Sequence, residues 1–398
     1  IQNSRIEYPG AAARPDARRP GGRTSGVPDL EAAVRLIEQS ERPLILAGHG
    51  VILGEAMDEL RAFAERSGIP VITTLLGISG FPEDHPLHLG MPGMHGEVHV
   101  NRAIQHADLL VAVGMRFDDR VTGNTAGFAR HAKVIHLELD PSEIGKNVPV
   151  DVPLVGDAKA LLPRLAAALR PRRREEWKAE IHAQKREKSV DHYRRGLSPE
   201  TILQALHDAT GGRVNVVADV GQHQMWVAKL FPYRRPNQHF SSGGLGSMGF
   251  AVPAAMGVWL ARPDEPVWAI SGDGGFQMNM QEIATMRQEQ LPVKLAIFNN
   301  GYLGMVRQWQ QFFYVRRYSQ TPIWSPDYVK LADAYGIPGW RVEASDEIAG
   351  AIDAALRTDG PALVEFVIEQ EANVFPMIPP GATLSDVIES APAESVTA

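Results

Sequence analysis

SGDGGFQMNMQEIATMRQEQLPVKLAIFNNGYLGM occupies residues 271–305. The apolar run 266–270 before it is rich in β-forming residues and stops at Gly272-Asp273-Gly274. From about Gly275 the pattern turns helical, with Phe276, Met280, Ile283 and Met286 at helical spacing. A second apolar run, 293–298, stops at Asn299-Asn300-Gly301. Two strands thus each deliver a short polar side chain at their C-terminal ends, where open α/β sheets bind ligands. Glycine on both sides of Asp273 lets a backbone approach an anion, and a helix N-terminus behind it attracts negative charge. Asp273 and Asn300 offer hard oxygens of the kind Mg²⁺ prefers, and phosphate oxygens complete such a shell. These residues point to a Mg²⁺–diphosphate site. The competing reading is a pair of ordinary strand-end turns, in which Asp, Asn and Gly are common.

The rest of the composition sets bounds on this reading. A chain of 398 residues has room for two α/β domains with substantial cores. Apolar content of 44% and charged content of 22% are those of an ordinary globular protein. A net charge of −7 and a pI near 6 leave no electrostatic footprint for nucleic acid. The basic cluster 170–174 reads as a solvated linker. The sequence has no cysteine, which removes disulfides and thiolate metal sites and is compatible with a reducing cytoplasm. No apolar run reaches the ~18 residues of a membrane span, and residues 1–13 lack the charged-then-apolar form of a signal peptide. The first residue is Ile1, and the sequence is expected to begin inside a longer protein.

Residues 1–25, with three prolines, an alanine triplet and scattered arginines, read as an extended linker. A strand–helix alternation follows over 26–170. Strands are expected at 43–48, 70–75, 108–114 and 133–140, and helices at 55–66, near 102–106 and at 158–169. Such alternation predicts a parallel sheet with helices on both faces. Residues 171–196 read as a charged connection with some helix. A second alternation fills 197–370. Its strands are expected at 214–219, 266–270, 293–298, within 339–344 and at 361–368, and its helices at 199–209, 222–230, 246–260, from about 303, at 327–334 and at 347–356. The tail 371–398, proline-rich and poor in aliphatics, reads as a mobile segment or a cover over a site. The fold class is therefore α/β, with two doubly wound parallel-sheet domains.

Three more stretches of the second half carry chemistry. Val220-Gly221-Gln222-His223-Gln224-Met225-Trp226 follows a strand, where His223 is either a ligand contact or a satisfied surface histidine. Ser242 to Phe250 (SGGLGSMGF) repeats glycine before a helix, either to meet a flat ring or simply to turn. Met305 and Trp309 stand four apart on one helix face, the spacing of an ordinary core pair.

Taken together, VGQHQMW, GGLGSMGF, SGDGGFQMN and NNGYLGMVRQWQ resemble the catalytic large subunit of the acetolactate (acetohydroxyacid) synthases, which use thiamine diphosphate. The separation of GDG from NN by the 24 residues 275–298 fits the diphosphate signature of thiamine diphosphate enzymes. The resemblance implies that Asp273, Asn300 and the Tyr302 carbonyl hold Mg²⁺. It puts Val220, Gly221, Gln222 and His223 on the diphosphate side, beside Gly272, Gly274, Gly275, Leu303 and Gly304. Gly246 and Met248 would contact the aminopyrimidine, Met248 pressing the cofactor into a bent form. Met305 and Trp309 would line the site, Trp309 shaping the pocket of the second keto acid, where one methylene is worth roughly 1–3 kcal/mol.

In the first half, GHGVILG is by itself only a weak dinucleotide signal. RFDDRVTGN, at 116–124, matches the same family more sharply. The resemblance implies FAD in this domain, not as a net redox reactant. Its contacts would be Gly48, His49, Gly50, Thr74, Leu75, Leu76, His95, Gly114, Arg116, Asp118 and Val121, with Glu138 and Asp157 at the adenosine end. Arg120 would lie at the substrate entrance. His49 replaces a more usual small residue, and Glu138 stands, one methylene longer, where Asp is usual.

Members of the family decarboxylate pyruvate and join the two-carbon remainder to pyruvate or 2-ketobutyrate, the first committed steps toward branched-chain amino acids. They have a further N-terminal domain with a glutamate on the aminopyrimidine. IQNSRIEYPG resembles the exit from that domain, so the chain alone is expected to have negligible synthase activity. The resemblance also implies a homodimer or tetramer, a small regulatory subunit and a cytoplasmic location. The rival expectations are another thiamine diphosphate carboligase, of the glyoxylate carboligase type, and a non-catalytic cofactor-binding module.

Overall fold

The computed structural model describes residues 28–187 and 197–391. In the first unit, β1 (Pro43–Ala47), β2 (Val71–Thr73), β3 (His88–Gly90), β4 (Leu109–Val113), β5 (Lys133–Glu138) and β6 (Val152–Val155) form one sheet. Its order is β3-β2-β1-β4-β5-β6 and every pairing is parallel. β1 is buried along its whole length because helices cover both faces. Its side chains alternate between the faces. Ile45 and Ala47 pack with Phe63 and Leu162, while Leu44 and Leu46 pack with Val100 and Ile104.

The second unit repeats the plan with β7 (Asn215–Ala218), β8 (His239–Ser241), β9 (Val267–Gly272), β10 (Lys294–Asn299), β11 (Gly339–Val342) and β12 (Ala362–Val367). The order is β11-β12-β10-β9-β7-β8, again all parallel. Val216, Ala218, Trp268 and Phe298 face Leu203 and Trp226, whereas Val217, Ala269 and Ile297 face Ala251, Phe276 and Tyr328. The expected fold class is the one observed. No helix among the described residues is long and apolar enough to cross a membrane.

Several local expectations change. Glycine-rich 246–250 is not helical; the helix starts at Ala251. Gly246 (φ 66°) and Gly249 (φ 85°) are left-handed, which stops a right-handed helix from reaching back through them. The helix expected from Gly275 starts at Asp273 and is broken into Asp273–Asn279, a 3₁₀ turn and Ile283–Gln288. The cluster 170–174 is not wholly solvated. Arg174 is buried and donates to Ile37 O at 2.6 Å, Ser40 O at 2.5 Å and Ser67 O at 3.2 Å, closing two helix C-termini. The helix Glu175–Glu187 then packs on the first sheet, with Trp177 buried and its Nε1 donating to Pro43 O at 3.1 Å.

The tail, as far as residue 391, is a packed strap. Lys229 Nζ donates to Phe375 O at 2.6 Å and Phe375 stacks on Phe312. Ile378 N donates to Met94 O at 2.8 Å, and Ile378 and Leu384 join the first unit's core beside Phe117 and Phe128. The linker expected at 1–25 and part of the connection at 171–196 lie outside the described residues.

Candidate functional site

In open parallel sheets ligands collect where neighbouring strands send their chains to opposite faces. The first sheet reverses between β1 and β4, the second between β7 and β9. The turns that leave these strands line one cavity of about 1030 Å³ between the two units.

On the second unit's side, Val220–His223 follow β7, Gly272–Gly275 follow β9, and Asn300, Tyr302, Leu303, Gly304 and Met305 follow β10; all line the cavity. Asp273 Oδ2 accepts from Gly301 N at 2.9 Å and Ser325 Oγ at 3.3 Å. Burial pushes its carboxyl up to about 6, against the pull of those donors. A cation at this carboxylate would supply the charge that its buried setting lacks. Asn300 Oδ1 accepts from Tyr302 N at 3.1 Å, and Asn300 Nδ2 donates to Gln222 Oε1 at 3.4 Å. Gln222 in turn donates to Gln308 Oε1 and Ala372 O, each at 2.8 Å.

His223 lies over two glycine turns. A Cβ on Gly221 would stand 2.8 Å from its Cε1, and one on Gly272 2.9 Å from its Nδ1. Its Nε2 is buried without a protein partner. Burial lowers its pKa to about 4, with the Asp219 charge opposing, so the ring is neutral near pH 7. Gly274 and Gly304 are equally closed to a side chain, by Leu303 Cδ2 at 2.7 Å and by Asn300 Nδ2 at 2.9 Å. Gly246 and Met248 also line the cavity, with Met248 Cε beside the Gly274 turn, 3.8 Å from where a Cβ there would stand. Met305 and Trp309 face the cavity, and Trp309 meets Phe313 edge-on with centroids 5.6 Å apart. Met305 also packs on the second unit's core, so it serves both readings that the spacing allowed.

The first unit supplies the other wall: His49, Gly50, Thr74, Leu75, Leu76, His95, Gly114, Arg116, Asp118, Arg120, Val121 and Glu138. Gly50 N donates to Gly114 O at 3.0 Å, and a Cβ on Gly50 would stand 2.7 Å from Gly114 Cα. The two turns approach so closely that glycine is required. Burial lowers the His49 pKa. His95 is held down to about 3 by burial, and its Nδ1 has no protein partner. Arg116 pairs with Asp118 at 3.1 Å, and Asp118 Oδ1 accepts from Arg120 N at 3.1 Å. Arg120 is exposed, 3.6 Å from Met94 Sδ. Glu138 Oε1 is turned onto the amides of Leu139 and Asp140, at 2.9 and 3.2 Å. The walls meet where Leu76 closes on Gly243.

Two expected contacts do not reach the cavity wall. Gly48 packs behind it, against Gly114 and Met115. Asp157 is an N-cap, accepting from Lys159 N at 2.9 Å. Residues that the sequence did not single out matter as well. Asp219, Asn279 and Ser325 support the glycine turns and Asp273, and Arg307 and Gln308 hold the strap. Their only sequence signal was a strand-final Asp in VNVVAD and polar residues inside NNGYLGMVRQWQ.

Residues 219–366 match the family described as thiamine pyrophosphate enzyme, C-terminal TPP binding domain, and residues 30–165 match the central domain of such enzymes. Fold and cleft thus define a thiamine pyrophosphate enzyme, of which this chain carries the central and C-terminal domains. It is 46% identical over 377 residues to acetolactate synthase of Mycobacterium bovis, covering 91% of this chain and 61% of that protein. It is 42% identical over 364 residues to the acetolactate synthase isozyme 2 large subunit of Escherichia coli, covering 91% and 66%. Identity to the Corynebacterium glutamicum large subunit is 42% over 409 residues, covering 97% and 64%. The chain belongs with the acetolactate synthase large subunits, and it spans about three fifths of the length of the curated relatives it matches.

Proposed function

We propose that this chain is the flavin- and diphosphate-binding part of an acetolactate synthase, which decarboxylates pyruvate and joins the remaining two carbons to pyruvate or 2-ketobutyrate. The observation that carries the reading is the shared cavity, in which two glycine-built strand-end cradles face each other. The residues fit the cofactors that this activity implies. A buried carboxylate and an amide oxygen suit Mg²⁺, an orphaned imidazole nitrogen and bare backbone suit a diphosphate, and the Gly50–Gly114 approach with the orphaned His95 Nδ1 suits a flavin nucleotide.

Asp273, Asn300 and the Tyr302 carbonyl would hold Mg²⁺, and His223 Nε2–H would donate a hydrogen bond to a diphosphate oxygen. When bound, thiamine diphosphate supplies the electron sink for loss of CO₂ from a 2-keto acid. Met248 would brace the cofactor from beside the Gly274 turn. The Arg120 guanidinium at the mouth would attract the keto acid's carboxylate. Trp309 would close the acceptor pocket by apolar contact, excluding water. FAD would lie along the first wall as a structural ligand. By the same reading the protein acts in the cytoplasm, as a homo-oligomer with a small regulatory chain.

The full-length protein, incubated with pyruvate, thiamine diphosphate and Mg²⁺, should form acetolactate and carry a flavin absorption band. Flavin and thiamine diphosphate binding with a different carboligation product would reassign the substrate. Absence of both cofactors would sink the proposal.

A further inference from the structure

We propose that Asp219 and Asn279 are positioning residues that clamp Gly249 from two sides and thereby hold Met248 in the cavity wall. The inference rests on the thiamine diphosphate reading above. Neither residue lines the cavity. Asp219 is fully buried at the end of β7. Its Oδ1 accepts from Val220 N at 2.7 Å and Gly249 N at 2.8 Å, and its Oδ2 accepts from Ser271 Oγ at 2.7 Å. The three donors belong to the β7 turn, the glycine-rich turn and the end of β9, each of which supplies cavity residues. Gly275 leaves room for the carboxylate, since a Cβ there would stand 2.8 Å from Oδ2.

Asn279 grips the next peptide unit, on the far side of the Gly249 Cα. Its Nδ2 donates to Gly249 O at 2.9 Å, and its Oδ1 accepts from Gln281 Nε2 at 3.2 Å. Gly249 sits at φ 85° and is hemmed in by Met278 Cβ and Asn279 Nδ2, so it is fixed by its surroundings as well as by its bonds. Met248, the residue before it, is 38% exposed and has no polar atom capable of a strong anchor. Its place against the Gly274 turn therefore depends on the two bonds to Gly249. Hydrogen bonds to a buried carboxylate are the strong ones, and a donor left unmet there is costly.

In the full chain, thiamine diphosphate is titrated with Mg²⁺ present and followed by tryptophan fluorescence, beside flavin occupancy and melting temperature. Asn279 is only half-buried, so Asn279→Ala should fold, keep its flavin and bind thiamine diphosphate about tenfold more weakly. Asp219→Asn keeps the Oδ1 acceptor for Gly249 N and should bind within about threefold of wild type, whereas Asp219→Ala should lose about thirtyfold or more. Wild-type affinity in Asn279→Ala overturns the clamp. So does equal loss in Asp219→Asn and Asp219→Ala, since charge rather than position would then matter. Parallel loss of flavin in every variant overturns it too, as general destabilisation. Failure of the wild-type chain itself to bind thiamine diphosphate would instead sink the functional reading beneath it.

Discussion

Asp273 combines burial, a carboxyl pushed up to about 6 and two polar donors on one oxygen. Asp273→Asn keeps the shape and an acceptor for Gly301 N while removing the buried charge. The two consequences have opposite signs. Without cofactors the variant should melt no lower than wild type, yet its Mg²⁺-dependent affinity for thiamine diphosphate should fall more than about 100-fold by calorimetric titration. A variant that binds normally would remove Asp273 from the metal site. Asp273 and Asn300 were legible because each closes an apolar run with flanking glycine, a pattern local in sequence. Asp219 was not, since an aspartate ending a strand looks like any turn residue until its three donors are brought from 30 and 52 positions away as well as from next door. Asp157 shows the converse: it caps the helix Ala158–Ala168, and a capping aspartate and one at a nucleotide's adenosine end stand at the same strand-to-helix junction.

The helix Gly304–Phe313 shows two faces with different tasks. Met305 and Trp309 look into the cavity, while Arg307, Gln308 and Gln311 are buried against the strap. Arg307 donates to Gln311 Oε1 at 2.7 Å, Ala372 O at 2.8 Å and Asn373 Oδ1 at 2.7 Å. Arg307→Met keeps most of the stem and deletes the fork, removing three charge-assisted bonds, although Ala372 O keeps Gln222 Nε2 and Gln311 Oε1 keeps Asn373 Nδ2. The expected cost is about 2–4 kcal/mol, with amide-exchange protection lost first across 372–391. Unchanged exchange there would mean the strap is held by its apolar anchors alone. The helix was readable from its own periodicity. The strap was not, because its bonds to Arg307 span 65 and 66 residues and its prolines suggest looseness. Strands β3 (HLG), β8 (HFS) and β6 (VPLV) escaped because they are short and interrupted by polar residues, glycine or proline, whereas β2 and β7, equally short, sit within apolar runs.

At the scale of the whole molecule, five histidines among the described residues, four buried and His88 half-buried, are pushed furthest from protonation, with His136 and His49 lowered as well. His88, His99 and His223 are held at about 4, and His95 and His239 at about 3, chiefly by burial. Their folded values lie below the unfolded 6.5, so their contribution is complete above that pH and is lost as pH falls. Glu83, pushed up to about 8, Glu97, also raised, and Asp273 act in the opposite sense, because the folded state holds their protons more firmly. Below pH 6.5 five histidines outnumber three carboxylates, so the offset is only partial. Below about pH 5 unfolded carboxylates take up protons as well, and the histidines dominate the difference between the states. Urea midpoints should change little between pH 7 and 6.5, then fall, and more steeply below about pH 5. A steady decline from pH 7 would show that the raised carboxylates do not hold their protons.

Both halves of the cleft could be foreseen from alternation of strands and helices, but their apposition could not, since it depends on contacts such as Leu76 with Gly243. The strap leaves the second unit after β12 and ends with Ile378 and Leu384 inside the first unit's core. A cord anchored in both walls ties them on that side, so parting them there must first draw Ile378 and Leu384 out of the first unit's core. Any ligand held between the walls would then have its residence set by the extraction of two apolar side chains.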